Sequence, residues 1–150
     1  MKIILTFLAI LISCGNVLAE GDIAVRPQIG FGKLDGQGYQ HAGVRLLLNA
    51  NDKQKYGLEL SRINTSAGDY LAVGIVLEQR KFGWFNMSIG SIGYFGRDGR
   101  QNIPGLVSNL GWEPVTSDVF KPFVTLRNDV LFGSKTQAGY ALSVGFVLGY

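Results

Sequence analysis

The sequence predicts an all-β protein, an eight-stranded antiparallel up-and-down transmembrane β-barrel behind an N-terminal signal peptide. Three observations predict it. Large apolar side chains recur at every second residue in eight successive segments, the period of a strand whose two faces meet different surroundings. Glycine, 21 of 150 residues, is scattered over the opposite face of those segments rather than clustered in linkers. Aromatic residues gather near both ends of the segments, with aliphatic residues between.

The leader comes first. Met1-Lys2 is a positively charged start, Ile3 to Ile12 is apolar except for Thr6, and Val17-Leu18-Ala19 offers small residues to a signal peptidase. The apolar run is too short to cross a bilayer as a helix. Cleavage after Ala19 divides the chain into a signal peptide, 1–19, and a barrel, 20–150. Leu11-Ile12-Ser13-Cys14 also resembles a lipobox, in which Cys14 would carry lipid and become the new N-terminus. Cys14 is the only cysteine, so the mature chain has no internal disulfide and no thiolate metal site. Losing Lys2 lowers the net charge from +3 to +2, and no basic run is present. Nucleic acid is therefore not an expected partner.

The strands follow in order. In 22–32, Ile23, Val25, Pro27, Ile29 and Phe31 share one face, with Ala24, Arg26, Gln28, Gly30 and Gly32 on the other. Asp35-Gly36 marks the turn. In 39–49, Ala42, Val44, Leu46 and Leu48 oppose His41, Gly43, Arg45, Leu47 and Asn49. In 55–64, Tyr56, Leu58 and Leu60 oppose Gly57, Glu59 and Ser61. In 70–79, Leu71, Val73, Ile75 and Leu77 oppose Ala72, Gly74, Val76 and Glu78, and Arg80-Lys81 is expected to break the strand.

In 83–95, Phe85, Met87 and Ile89 oppose Asn86, Ser88 and Gly90. The alternation blurs over Ile92 to Phe95, which suggests a β-bulge. The most polar connection, Arg97 to Asn102, leads to the least distinct strand, 104–112, where Leu106, Leu110 and Trp112 oppose Gly105, Asn109 and Gly111. In 119–131, Phe120, Pro122, Val124, Leu126 and Val130 oppose Lys121, Thr125, Arg127 and Asp129. The last segment, 138–150, carries Tyr140, Leu142, Val144, Phe146, Leu148 and Tyr150 on one face.

The composition of the non-greasy face decides which face is outside. A water-facing strand surface favours Thr, Lys and Glu, whereas Gly weakens a strand and packs nothing. Gly30, Gly43, Gly57, Gly74, Gly90, Gly111, Gly139 and Gly145 suit the inside of a narrow barrel. They leave room for Arg26, Arg45, Lys121, Arg127, Glu59, Glu78 and Asp129, whose charges nearly balance. The aromatic belts are then Tyr56, Trp84, Phe85, Trp112, Phe120 and Tyr150 at one end, and Phe31, Tyr39, Tyr70, Tyr94, Phe95, Phe132 and Tyr140 at the other. Arg62, the one charge on the greasy face, sits near a strand end and can snorkel. The opposite arrangement, a soluble periplasmic lipocalin-like barrel binding an apolar ligand, needs the greasy face inside.

The whole mature chain resembles the small eight-stranded outer-membrane barrels of OmpA and OmpX type, and its terminal segment, closed by Tyr150, resembles their C-terminal assembly signal. The resemblance implies a Gram-negative outer membrane, contact with its lipid and lipopolysaccharide, and recognition by the barrel-assembly machinery. The connections here are shorter than is usual in that group, which argues against adhesion.

Function is less legible. Eight strands enclose only enough space for side chains, so seven interior charges would plug the lumen and a monomer would conduct little. Some barrels of this architecture modify lipid A, but the sole histidine, His41, precedes Ala42-Gly43 rather than a His-x-Ser motif, and no Asp-Ser step occurs. His41, Asp69 and Ser66 all fall at one end of the strands, and such a trio would suit acyl transfer. A simpler place for His41 is a hydrogen bond inside the barrel mouth. No cofactor or metal is expected, since there is no second histidine and no phosphate-binding loop before a helix. A structural or interaction role at the cell surface is the preferred reading. At the outer end, Lys33, Arg62, Arg97, Arg100 and Lys135 outnumber Asp35, Asp69 and Asp98, a mild excess that suits lipid phosphates.

Overall fold

The computed structural model describes residues 23–51, 53–66, 68–97, 99–114 and 121–148. The predicted leader, with Cys14, lies outside them, as do Asp98, Phe120 and Tyr150. Eight strands form: β1 (Ile23–Leu34), β2 (Gln37–Asn51), β3 (Gln54–Thr65), β4 (Gly68–Phe82), β5 (Phe85–Gly96), β6 (Ile103–Trp112), β7 (Lys121–Phe132) and β8 (Thr136–Val147). Each pairs antiparallel with its neighbours in sequence, and β1 closes on β8 to complete the barrel. Beyond the end of β8, Val25 and Leu148 exchange two backbone hydrogen bonds of 2.8 Å. Strand lengths run from 10 residues in β6 to 15 in β2 and β4. At the usual rise and tilt they cover roughly 25–38 Å of height, enough for a bilayer core.

Register keeps the two faces coherent. Leu46 stands opposite Leu58, while Arg45 stands opposite Glu59. A slip of one residue would exchange the lumen set for the outer set, so the difference between the two faces specifies the pairing. The β1–β2 turn is as short as a hairpin allows. Asp35 and Gly36 both have positive φ, 51° and 80°, the geometry whose twist matches the flanking strands.

The greasy face is outside. Ile75 is 65% exposed and Leu142 59%, within a continuous apolar belt that includes Ile29, Leu58, Met87 and Leu106. A soluble protein does not present such a belt to water. The polar side chains lie within, so the fold is a transmembrane β-barrel, and the inverted, lipocalin-like arrangement is excluded.

Three expectations are corrected. The chain has no bulge at Ile92–Phe95, where β5 pairs without interruption with β4 and β6. The alternation there is regular, and it looked blurred because Ile92 and Tyr94 are large residues that point inward. The irregularities in register lie instead at Asn49/Asn51 and Arg80/Phe82, beside turns. Arg80-Lys81 does not end β4, which runs on to Phe82. Finally, Tyr39, Tyr70 and Tyr94 do not belong to an aromatic belt, because all three are buried in the interior. The outer aromatics are Phe31, Phe95, Phe132 and Tyr140 at one end, and Tyr56, Phe82, Trp84, Phe85 and Trp112 at the other.

Candidate functional site: the charged interior

The interior alternates between apolar packing and charge. Leu34, Leu47, Ile63, Val76, Ile92, Val107, Phe123, Leu131 and Val147 are buried there alongside the small residues. Two polar clusters are set among them.

The larger cluster centres on Arg127, whose side chain is fully buried. Its guanidinium grips Asp129 in two bonds, Nε to Oδ2 at 2.8 Å and Nη2 to Oδ1 at 2.7 Å. Its remaining nitrogen, Nη1, pairs with Glu59 across the lumen. Arg45 Nε donates to the other Glu59 oxygen at 2.7 Å, and its Nη1 donates to Ser88 Oγ at 3.1 Å. The Tyr39 hydroxyl donates to Asp129 at 2.5 Å and accepts from Arg127 Nε at 3.0 Å. The Tyr94 hydroxyl donates to the second Asp129 oxygen at 2.7 Å. Asp129 is thus held by Arg127, Tyr39 and Tyr94, and Glu59 by Arg127, Arg45 and Ser61, the condition under which buried charge is tolerated.

His41 belongs to the same cluster. Its Nε2 is 3.0 Å from Ser61 Oγ, and the Ser61 hydroxyl donates to Glu59 Oε1 at 2.9 Å. With the serine proton so committed, His41 Nε2 carries the hydrogen and donates.

The smaller cluster lies nearer the end that carries Ile23 and Leu148. Arg26 pairs with Glu78 at 2.5 Å and with Glu113, and its guanidinium stacks 5.0 Å from the centre of the Phe123 ring. Glu113 also meets Arg80 at 3.3 Å. Of the seven lumen charges read from the sequence, Arg26, Arg45, Glu59, Glu78, Arg127 and Asp129 lie in these ion pairs. Lys121 is half-buried and lines a polar cavity at the same end.

The trio His41, Asp69 and Ser66 is not assembled. His41 is sealed inside, whereas Asp69 turns outward to pair with Arg62. Ser66 Oγ donates to Gln37 Oε1 at 2.5 Å at the rim. Among the described residues no group of His, Cys, Asp and Glu is arranged to hold a metal.

Sequence reasoning missed Tyr39, Tyr94 and Glu113. Parity would have found the first two, since Tyr39 shares the face of Arg45, and Tyr94 that of Asn86 and Ser88. Glu113 follows the end of β6, where period carries no information. Only the closure of the barrel brings it to Arg26.

The outward apolar belt and the charged interior define a class of fold, the eight-stranded transmembrane β-barrel. No protein-family model matches the chain, and no curated protein matches it. Solved structures do. The chain superposes on Neisserial surface protein A (NspA) with a TM-score of 0.65 and 9% identity, over 85% of this chain and 97% of that one. The N-terminal β-barrel domain of Pseudomonas aeruginosa OprF gives 0.55 and 13%, over 85% and 99%. A barrel from the de novo design of transmembrane β-barrels gives 0.54 and 11%, over 83% and 95%. At such identities the likeness is one of fold.

Proposed function

We propose that this chain is a small barrel of a Gram-negative outer membrane, exported by its leader, with a structural or interaction role at the cell surface and no open pore. The observation that supports this reading is the ion pair from Arg127 to Glu59, which crosses the lumen between strands on opposite walls. An eight-stranded barrel has little interior beyond its side chains. Tyr39, Arg45 and Asp129 are bonded to the same pair and Tyr94 to Asp129, so side chains crowd the lumen at that level.

On this reading the partners are outer-membrane lipid and lipopolysaccharide, met at the outer rim by Lys33, Arg97, Arg100 and Lys135. The assembly machinery reads Tyr140, Leu142, Val144, Phe146, Leu148 and Tyr150. The reading needs no cofactor and no nucleic acid.

Fractionation and conductance together test it. The protein is expected in the outer membrane, with a gel mobility that changes when the sample is boiled, and in planar bilayers the purified barrel is expected to be nearly silent. Recovery from the soluble periplasm, or a stable open channel, would overturn the proposal.

A further inference from the structure

At the barrel end that carries Ile23 and Leu148, the lumen opens into a polar cavity of about 520 Å³. That is a size typical of small-molecule sites. Its wall includes Lys53, Lys55, Arg80 and Lys121, against two carboxylates, Glu78 and Glu113. Both carboxylates are already engaged, Glu78 by Arg26 and Glu113 by Arg26 and Arg80.

Lys55 stands directly across the β3–β4 ladder from Glu78. The nearest acid is therefore spent on Arg26. Lys55 is half-buried, and no carboxylate among the described residues lies within ion-pair distance of it or of the exposed Lys53. A partly desolvated ammonium without a counter-charge is unfavourable. Asn86 adds a second feature. It is 6% exposed and lines the same cavity.

From these two features we propose that the cavity is a binding site for a phosphate group, held by Lys53 and Lys55 with a hydrogen bond from the Asn86 amide. Ammonium groups and an amide N–H all donate, and a phosphate offers several acceptor oxygens at once. The paired Glu78 and Glu113 form the inner wall and keep the anion at the mouth. The phosphate is that of a free small molecule or of a lipid headgroup at the neighbouring membrane surface. The proposal does not depend on whether the lumen conducts.

The test uses the mature barrel refolded in an uncharged maltoside detergent and chloride buffer, with closure checked by heat-dependent mobility. The Asn86 side-chain amide is followed by NMR while sodium phosphate, or in a separate arm dihexanoyl phosphatidic acid, is added. A saturable shift is expected. Saturation by inorganic phosphate identifies a free-phosphate site, and saturation by the short-chain lipid alone identifies a headgroup site. The Lys53→Gln/Lys55→Gln variant is expected to bind about tenfold more weakly, since each ammonium gives a charge-assisted hydrogen bond, and Lys55→Arg to retain binding. Lys53→Gln alone, at an exposed turn, is the fallback should the double variant fail to close. No saturable shift in either arm, or an unchanged response in the glutamine variants, would overturn the site.

Discussion

Arg127 on β7 and Glu59 on β3 form a fully buried ion pair across the barrel, between strands half the ring apart. The barrel is therefore braced through its centre as well as around its wall. A buried pair is weak evidence of net stability, but breaking one is costly because the surviving charge is left alone.

Glu59→Gln and Arg127→Met are each expected to lower the stability of the refolded barrel by about 3–5 kcal/mol in urea titrations. The double variant Glu59→Gln/Arg127→Met is expected to lose less than the two singles combined, and the difference is the coupling. Simple additivity would mean that the two side chains do not act as a pair. On the proposed reading of a lumen closed by this brace, the single variants also raise bilayer conductance.

Gly43 tests the link between small residues and the network. A Cβ placed there would strike the Ser61 hydroxyl and lie 2.8 Å from the Leu60 carbonyl. Ser61 connects His41 to Glu59. Gly43→Val is expected to cost about 1–3 kcal/mol through overpacking. Gly43→Val in a Ser61→Gly background should recover part of that loss. Equal stability of wild type and Gly43→Val would remove the steric argument.

Ile75 probes the outer face. It points away from the lumen near the middle of β4, and Arg in its place would meet hydrocarbon. The expected penalty is about 2–4 kcal/mol in lipid vesicles. Gln54→Arg, on the same outer face but at a strand end, should cost far less. A penalty that does not vary with depth would contradict a membrane-spanning belt.

His41→Ala separates a hydrogen-bonding role from lipid chemistry. His41 is 2% exposed and bonded to Ser61, and its imagined partner Asp69 is on the other side of the wall. Mass spectra of lipid A are expected to be the same in deletion, overexpression and His41→Ala strains, while the refolded variant loses some stability. An altered acyl pattern that follows His41 would return the acyl-transfer reading to consideration.

The strands and the facing of most residues were legible because they rest on local quantities. Alternation places Arg26, Arg45, Glu59, Arg127 and Asp129 on one face without any knowledge of pairing. The same rule, extended by two residues at each strand end, would have turned Tyr39, Tyr70 and Tyr94 inward. Aromatic character pulled them to the membrane belts instead. Ile92 and Tyr94 misled in a related way: with large apolar groups on both faces, a hydropathy pattern loses its contrast while the backbone stays regular. Arg80 read as a breaker because a charge at a strand end has no visible partner until Glu113 is brought round to it.

The sequence by itself determined the eight strands, the two unlike faces and the residue types of the interior, because side-chain period and steric size are properties of neighbours along the chain. Only the tertiary structure decided which charges meet. Arg127 and Glu59 lie 68 residues apart, and Arg26 and Glu78 lie 52 apart. Closure of β1 on β8 is what sets those distances. For the same reason His41 met Ser61 rather than Asp69: pleat direction, fixed by register around the whole ring, put the histidine inside the wall and the aspartate outside it.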